Sequence, residues 1–135
     1  DAMEKHNHHL QSKYQRVKEN EVRYELTHNE NADYLIVAFG SAARIAENAI
    51  EVAKEEGLHI ALFRPITLWP FPEKELREVI KGKKGLLVVE INAGQMVEDV
   101  RLSVGENIKV AQFGRLGGIV PEPDEIIKAL KERIQ

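Results

Sequence analysis

The sequence contains no cysteine, and this absence excludes several kinds of site. Without thiols the chain forms no disulfide, supplies no cysteine nucleophile and offers no thiolate to a metal or an iron–sulfur cluster. Its apolar runs, such as 35–39 and 86–89, are far shorter than the roughly 20 residues that span a bilayer. The net charge is −3, so no basic excess indicates nucleic acid or anionic lipid. We therefore expect a cytoplasmic protein with neither a nucleic acid nor a membrane partner.

Familiar catalytic patterns are missing as well. The chain has no glycine-rich phosphate-binding motif, no Ser-His-Asp set, no paired catalytic carboxylates and no metal-ligand spacing. His6, His8 and His9 lie close together in a polar segment without supporting carboxylates, which favours a solvated segment over a metal cluster. We therefore assign no catalytic residue and no metal ligand to this chain.

The composition is that of one globular domain. The chain has 135 residues, of which 43% are hydrophobic and 30% are charged. It holds 18 Glu but only four Asp, together with 12 Ile. This bias is typical of proteins from hot environments and predicts a thermophilic source.

Strands and helices are predicted to alternate after residue 22. Residues 1–22 are polar, but Leu10, Tyr14 and Val17 recur at helical spacing and predict a docked or trailing helix. Apolar runs predict strands at 23–27, 33–39, 59–63, 86–91 and 108–113. Amphipathic patterns predict helices at 41–56, 73–80, 95–104 and from 123 onward. This alternation predicts a mainly parallel sheet covered by helices on both faces.

Several residues predict how these elements begin and end. Ser41 is placed to cap the first of the four helices, and Gly57 to end it. Pro123 suits the first turn of the last helix, where its missing N–H costs nothing. Three prolines within 64–72 predict that this segment is irregular.

Two candidate anion sites follow strands, where ligands of such sheets usually bind. Gly40 and Ser41 open a helix whose backbone N–H groups can hold an anion, although a tight turn with a serine cap is the favoured explanation of these two residues. Arg64 is placed either to grip a carboxylate or phosphate, or to form a structural pair with Glu90.

Two further segments are candidate contact surfaces. Trp69 and Phe71 stand between prolines, and such aromatic residues either fill a partner's pocket or pack within their own domain. The segment 90–96 places polar side chains around a strand-to-helix turn. A catalytic role there lacks a titrating partner other than Glu90, so we expect a contact role for its remaining residues, which are Asn92, Gly94, Gln95 and Met96.

Two strings in the sequence are characteristic of a known family. They are R-P-I-T-L-W-P-F-P at 64–72 and E-I-N-A-G-Q-M at 90–96, preceded by A-D-Y-L-I-V at 32–37 with Gly40-Ser41 and followed by Asp99-Val100-Arg101 and Phe113-Gly114. In this order and spacing, residues 23–130 resemble the C-terminal, transketolase-C-like domain of the alpha subunit of 2-oxoacid:ferredoxin oxidoreductases. The resemblance implies a three-layer α/β fold with a five-stranded sheet in the order 1-3-2-4-5, in which the first strand is antiparallel.

The resemblance also implies a function that this chain serves only in part. The family decarboxylates a 2-oxoacid on thiamine diphosphate with Mg²⁺, passes electrons through iron–sulfur clusters to ferredoxin and releases an acyl-CoA. Because this chain lacks cluster ligands and the GDG-x(n)-N segment, we expect it to hold none of these cofactors and to be inactive alone. The expected partners are other domains and subunits (beta, with gamma and delta in some members), with ferredoxin reached through the whole enzyme.

The start at Asp1 and the polar segment 1–22 favour a linker or leader helix from a preceding domain, with 23–135 as the transketolase-C-like domain. Two alternatives remain open. One is the equivalent domain of a transketolase or of a pyruvate dehydrogenase E1 beta chain. The other is a stand-alone anion-binding module that uses Gly40 and Ser41.

Two structural expectations follow. Arg64 and Glu90 should end strands at the same edge of the sheet, with their side chains converging above Gly40. In addition, 69–71 and 92–96 should form one exposed, partner-facing surface, because so small a domain has little interior to hide Trp69, Phe71 and Met96 together.

Overall fold

The computed structural model describes residues 1–135 and contains five helices and five strands. The helices are α1 Ala2–Asn20, α2 Gly40–Glu55, α3 Glu73–Val79, α4 Met96–Val104 and α5 Pro123–Arg133. The strands are β1 Tyr24–Thr27, β2 Tyr34–Ala38, β3 Ile60–Pro65, β4 Gly85–Glu90 and β5 Val110–Gly114. No helix is both long enough and apolar enough to cross a membrane.

The sheet has the order β1-β3-β2-β4-β5, as the family resemblance implied. Strands β2 to β5 are parallel, and β1 pairs antiparallel with β3 at one edge. Every residue of β2 and β4 is buried, because these strands are flanked by neighbours and covered by helices on both faces. This explains why their sequences are continuous apolar runs rather than alternating ones.

Two hydrophobic cores lie on opposite faces of the sheet. One core is formed with α2 and α5, and its sheet residues include Ile36, Leu62 and Val89. The other core is formed with α3 and α4, and its sheet residues include Phe63 and Val88. Because successive side chains of a strand point to opposite faces, each central strand contributes to both cores. The three-layer α/β architecture is therefore confirmed.

The start of α2 differs from the prediction. Ser41 does not cap this helix, because the helix begins at Gly40 and Phe39 is its N-cap residue without a side-chain hydrogen bond. Gly40 has φ of +57°, a conformation that glycine adopts without a Cβ penalty, and it turns the chain directly from β2 into α2. Ser41 consequently lies inside the first turn of the helix.

The end of β3 also differs from the prediction. Arg64 and Pro65 belong to the strand rather than to an irregular segment, and the irregular part is 66–72. The reason is the antiparallel pairing with β1, which places Tyr24 opposite Pro65 and Glu25 opposite Arg64. This contact between distant parts of the chain extends the strand beyond its apolar run.

Helix α5 begins as its sequence predicts. Pro123 occupies the first turn, and Glu122 and Glu125 form a reciprocal capping box in which each side chain accepts a hydrogen bond from the other residue's backbone. The Arg115 guanidinium donates to the Glu125 carboxylate. These backbone and guanidinium hydrogen bonds hold the pKa of the Glu125 carboxyl below its usual value.

Helix α1 has no buried residue. Its contact with the rest of the domain includes Tyr14, whose ring meets the Trp69 ring edge-to-face with centroids 5.8 Å apart. The predicted helix is thus present and docked, and it docks against the loop that follows β3.

Candidate functional site

The candidate site is the carboxyl edge, by which we mean the edge of the sheet where β2 to β5 end. Four connections lie there: the Gly40 turn after β2, the loop 66–72 after β3, the turn 91–95 after β4 and the loop 115–122 after β5. Ligands and partners of parallel sheets usually meet this edge. The residues singled out from sequence belong to the first three of these connections or to the strand end beside them.

Glu90 organises the turn after β4. Its side chain is fully buried, and both carboxylate oxygens accept hydrogen bonds from the amides that begin α4. The Gln95 N–H lies 3.2 Å from each oxygen, the Met96 N–H lies 2.7 Å from Oε1, and the Val97 N–H lies 3.2 Å from Oε2. The carboxylate therefore satisfies helix N–H groups that would otherwise lack partners, and it lies at the positive end of the helix dipole.

The turn itself is held by its own side chain and by β5. Asn92 Oδ1 accepts a hydrogen bond of 2.7 Å from the Gly94 N–H, and Gly94 has φ of +108°. A Cβ atom at Gly114, the last residue of β5, would lie 2.3 Å from the Asn92 carbonyl oxygen. Glycine is thus required at position 114 for the close approach of β5 to this turn.

Met96 does not belong to the exposed surface that we predicted. It is 4% exposed and lies in the core beside α3 and α4, because the first turn of α4 points its apolar residues at the sheet. The Gln95 side chain, by contrast, is exposed. Gln95 is therefore the residue of this turn that offers a polar side chain to solvent, with Asn92 and Gly94 partly exposed beside it.

Arg64 and Glu90 lie near the ends of β3 and β4 at the same edge of the sheet, but their side chains do not converge. Phe63 and Val88 both lie beside Val37 and face the same core, so Arg64 points to the α2 face and Glu90 to the α4 face. The predicted pair is therefore wrong. The Arg64 guanidinium instead donates to Glu25 Oε2 on β1 at 3.1 Å, and this exposed pair contributes little to stability.

The aromatic loop, residues 66–72, is divided between surface and core. Trp69 is 57% exposed, whereas Phe71 is half-buried and packs on the core beneath α3 and α4. Pro70 and Pro72 are buried and fix the loop on the domain. Of the two aromatic residues predicted to face a partner, Trp69 therefore offers most of the accessible surface.

A cleft of about 480 Å³ separates α1 from the aromatic loop and the first turns of α3 and α4. Asp99 of α4 lines it, together with Trp69, Glu73 and Lys74. Burial raises the pKa of the Asp99 carboxyl above its usual value, and the negative charges of Glu73, Glu90 and Glu98 raise it further. The cleft thus combines an aromatic wall with a carboxyl group whose pKa is raised.

Exposed apolar side chains are concentrated at the carboxyl edge, and of these the sequence predicts only Trp69 as a partner-facing residue. Of the eleven large apolar side chains exposed in the structure, six lie in the loops that follow β3 and β5. These six are Ile66, Leu68, Trp69, Leu116, Ile119 and Val120. The sequence signal for the exposed apolar residues of the second loop is an apolar run around Gly117 and Gly118. Both glycines have positive φ and lie in a turn.

The candidate anion site at the start of α2 gains no support from the geometry. The Gly40 and Ser41 side of α2 is exposed and carries no side-chain cap, so the anion site there stays a prediction. No group of three or more histidine or acidic side chains is arranged to hold a metal ion in residues 1–135. The carboxyl edge as a whole combines exposed apolar side chains with one organised turn.

Comparison with known proteins identifies relatives. The profile of a family described as "Pyruvate:ferredoxin oxidoreductase core domain II" matches residues 32–126. A ketoisovalerate oxidoreductase subunit VorB from Methanothermobacter thermautotrophicus is 40% identical over 132 residues, which is 98% of this chain and 37% of the relative. The chain therefore spans a little over a third of the length of that relative.

Solved structures agree with this fold. The 2-oxoglutarate:ferredoxin oxidoreductase from Magnetococcus marinus, solved with 2-oxoglutarate, coenzyme A and succinyl-CoA, matches with a TM-score of 0.74 and 29% identity, over 84% of this chain and 20% of that one. A split-gene transketolase matches with a TM-score of 0.70 but 18% identity, over 83% of this chain and 41% of that one. The second likeness is one of fold.

Proposed function

The chain belongs to the pyruvate:ferredoxin oxidoreductase core domain II family, and we propose that it is the C-terminal domain of the alpha subunit of a 2-oxoacid:ferredoxin oxidoreductase. The complete enzyme would decarboxylate a 2-oxoacid oxidatively to an acyl-CoA and pass the electrons to ferredoxin. The observation that carries the proposal is the family match over residues 32–126, with a related oxidoreductase subunit aligned along 98% of the chain.

Within that enzyme, we assign the domain to assembly and to the shape of the approach to the active site. The apolar side chains exposed at the carboxyl edge support this role, because such a concentration marks a protein contact. The partners are the other domains and subunits of the oxidoreductase, in a cytoplasmic complex that ferredoxin meets as a whole.

The residues of this chain do not fit the iron–sulfur clusters or the Mg²⁺ of such an enzyme. A cluster requires cysteine ligands, which the chain lacks, and no acidic group is arranged for Mg²⁺. We therefore place thiamine diphosphate, Mg²⁺, the clusters and coenzyme A on other domains or subunits, and we assign no catalytic step to a residue of this chain.

The other functions considered from sequence have less support. The transketolase likeness is at 18% identity and concerns the fold alone. A stand-alone anion-binding module would depend on the α2 N-terminus, where no side chain makes a capping hydrogen bond. Calorimetric titration of the chain with phosphate and pyrophosphate tests that alternative directly.

The proposed activity is tested with the complex assembled around this chain. We expect viologen reduction that depends on a 2-oxoacid, coenzyme A and thiamine diphosphate, and none from the chain alone. Ketoisovalerate and 2-oxoglutarate should be compared, since the two oxidoreductase relatives are named for these acids. A complex that reduces the acceptor with neither these acids nor pyruvate would contradict the proposal.

The proposed assembly role is tested with Trp69→Ala. Loss of an exposed aromatic anchor should weaken binding to the partner subunits by about 2 kcal/mol or more, roughly 30-fold in Kd. The matched control is Leu102→Ala, because Leu102 is 82% exposed but lies on α4 away from the edge loops. Equal subunit affinities for both variants, measured by biolayer interferometry, would show that Trp69 is not an interface residue.

A further inference from the structure

Strand β5 has a partner strand on one side only. It is the last strand of the sheet and pairs with β4 alone. At one end of β5 the Lys109 carbonyl accepts a hydrogen bond of 2.9 Å from the Leu86 N–H. At the other end the Arg115 N–H donates one of 3.3 Å to the Glu90 carbonyl. Because the backbone groups of alternate residues point to the same side of a strand, the odd-numbered residues from 109 to 115 face β4.

The even-numbered residues of β5 therefore form its free side, by which we mean the side that faces away from β4. The N–H groups of Val110, Gln112 and Gly114 point outward there and have no partner within the domain. The Gln112 carbonyl accepts a hydrogen bond from the Arg133 guanidinium, which also lies over the Phe113 ring at 5.6 Å from its centroid. A side-chain donor thus occupies the position that the N–H of a neighbouring strand would take.

The free side of β5 lacks features that commonly prevent strands from pairing at a sheet edge. Exposed edge strands are usually very short or carry charged residues or proline. Strand β5 has five residues, none of them charged or proline, whereas β1 at the opposite edge has four residues and includes Glu25. The loop that follows β5 adds the exposed apolar side chains of Leu116, Ile119 and Val120. Another strand would therefore find both backbone partners and apolar surface there.

Charge distinguishes a partner segment from a second copy of this chain. Antiparallel pairing of two copies about Gln112 would bring their Arg133 guanidinium groups together at the centre of the contact. It would also place Lys109 of each copy opposite Arg115 of the other. Like charges in such positions destabilise a strand pair, whereas opposite charges stabilise it. The free side is therefore complementary to a strand that carries an acidic side chain.

We propose that the free side of β5 receives an extended strand of a partner subunit, and that an acidic side chain of this strand pairs with Arg133. A backbone N–H of the added strand replaces the guanidinium at the Gln112 carbonyl, and its carbonyls accept from the outward N–H groups of β5. This inference rests on the proposed function, and it names the kind of segment that the domain binds during assembly.

The first experiment compares Gln112→Pro with Gln112→Ala in the complete oxidoreductase complex. Both variants lose the glutamine side chain, but only proline also removes the outward N–H, a change that edge strands tolerate. We expect Gln112→Pro to raise the Kd for the partner subunits by about tenfold or more and Gln112→Ala by less than about twofold. Equal affinities of the two variants, measured by biolayer interferometry on folded protein, would overturn strand addition.

The acidic side chain of the added strand is tested with Arg133→Glu. The matched control is Lys128→Glu, which makes the same change of charge at an exposed position of the same helix. We expect Arg133→Glu to weaken subunit binding by about tenfold and Lys128→Glu to leave it nearly unchanged. Equal losses in both variants would show a general effect of charge and would overturn the pairing with Arg133.

Hydrogen exchange of the wild-type protein tests strand addition without any substitution. On assembly, exchange should slow by about tenfold or more at the amides of Val110, Gln112 and Gly114. The amides of Ala111 and Phe113 already face β4 and should change less. Unprotected outward amides in an assembled complex would overturn the proposal. The same protection in the chain alone, growing with its concentration, would identify a second copy as the occupant and would also overturn it.

The outcomes for this inference and for the proposed function are distinguishable. If the wild-type chain forms no complex with oxidoreductase subunits, the proposed function fails and strand addition fails with it. An active complex in which Gln112→Pro binds as tightly as Gln112→Ala would overturn strand addition alone.

Discussion

Replacement of Tyr14 by alanine should weaken the docking of α1 on the domain while leaving the rest of the fold intact. Helix α1 buries no residue, and its aromatic contact is the edge-to-face pair of Tyr14 with Trp69 at 5.8 Å. Such a pair contributes about 0.5–1.5 kcal/mol, so Tyr14→Ala should shift the ratio of docked to undocked helix by about 2- to 12-fold. The free energy of unfolding of the β-sheet body should change by less than about 0.5 kcal/mol, as for other exposed positions.

Trp69 reports this change directly, because it is the sole tryptophan of the chain. Its emission should move to longer wavelength in Tyr14→Ala, and α1 should be cut sooner by a protease, while urea unfolding followed by circular dichroism keeps its midpoint. Tyr14→Phe is the matched control, since it retains the ring that meets Trp69. A loss of more than about 2 kcal/mol of global stability would show that α1 is an integral part of the core, contrary to the division at residue 22. Unchanged emission would show that the Tyr14 ring does not hold the helix.

Three further outcomes are expected from single substitutions in the purified chain. Gly85→Ala should lower the free energy of unfolding by about 1–3 kcal/mol, because the added Cβ would clash with the Ile134 side chain. In the double variant, Ile134→Ala should offset part of that loss. Additive losses of stability in urea titrations would contradict this explanation. The pKa of the Glu125 carboxyl is lowered, so its carboxylate stabilises the fold fully at pH values above the ordinary pKa of 4.5 and loses this effect as pH falls through the lowered pKa. Glu125→Gln should therefore be less stable than wild type at pH 7, and the difference should shrink in acid. Thermal melts across a range of pH will measure this difference. The pKa of Asp99 is shifted in the opposite direction, so ionisation of its carboxyl lowers the stability of the fold as pH rises. Asp99→Asn should therefore melt at a higher temperature than wild type at pH 7, but not at pH values below 3.8. Equal melting temperatures at neutral pH would refute the effect of burial on this carboxyl.

The amino-acid sequence by itself determined the elements and the architecture. The continuous apolar runs of β2 and β4 indicated strands buried on both faces, and the alternation with amphipathic helices indicated a parallel sheet. These signals are local, because they depend on hydrophobic period and on residues such as Pro123 that fix a helix start. The strand order was not local, and it came from the family resemblance of two motifs.

The tertiary structure decided where the motif side chains point. Arg64 and Glu90 lie near strand ends at the same edge, but the faces to which their side chains point depend on the register of β3 and β4 against β2, which no local pattern encodes. The burial of Met96 and the capping of α4 by Glu90 depend in the same way on how α4 packs against the sheet. The alternation of side chains along a strand determines which of its residues share a face. Only the register of the strands in the packed sheet determines which faces of different strands lie on the same side. The sequence therefore located the turn at residues 90–96, and the tertiary contacts alone determined that Glu90 is its buried support and Gln95 its exposed side chain.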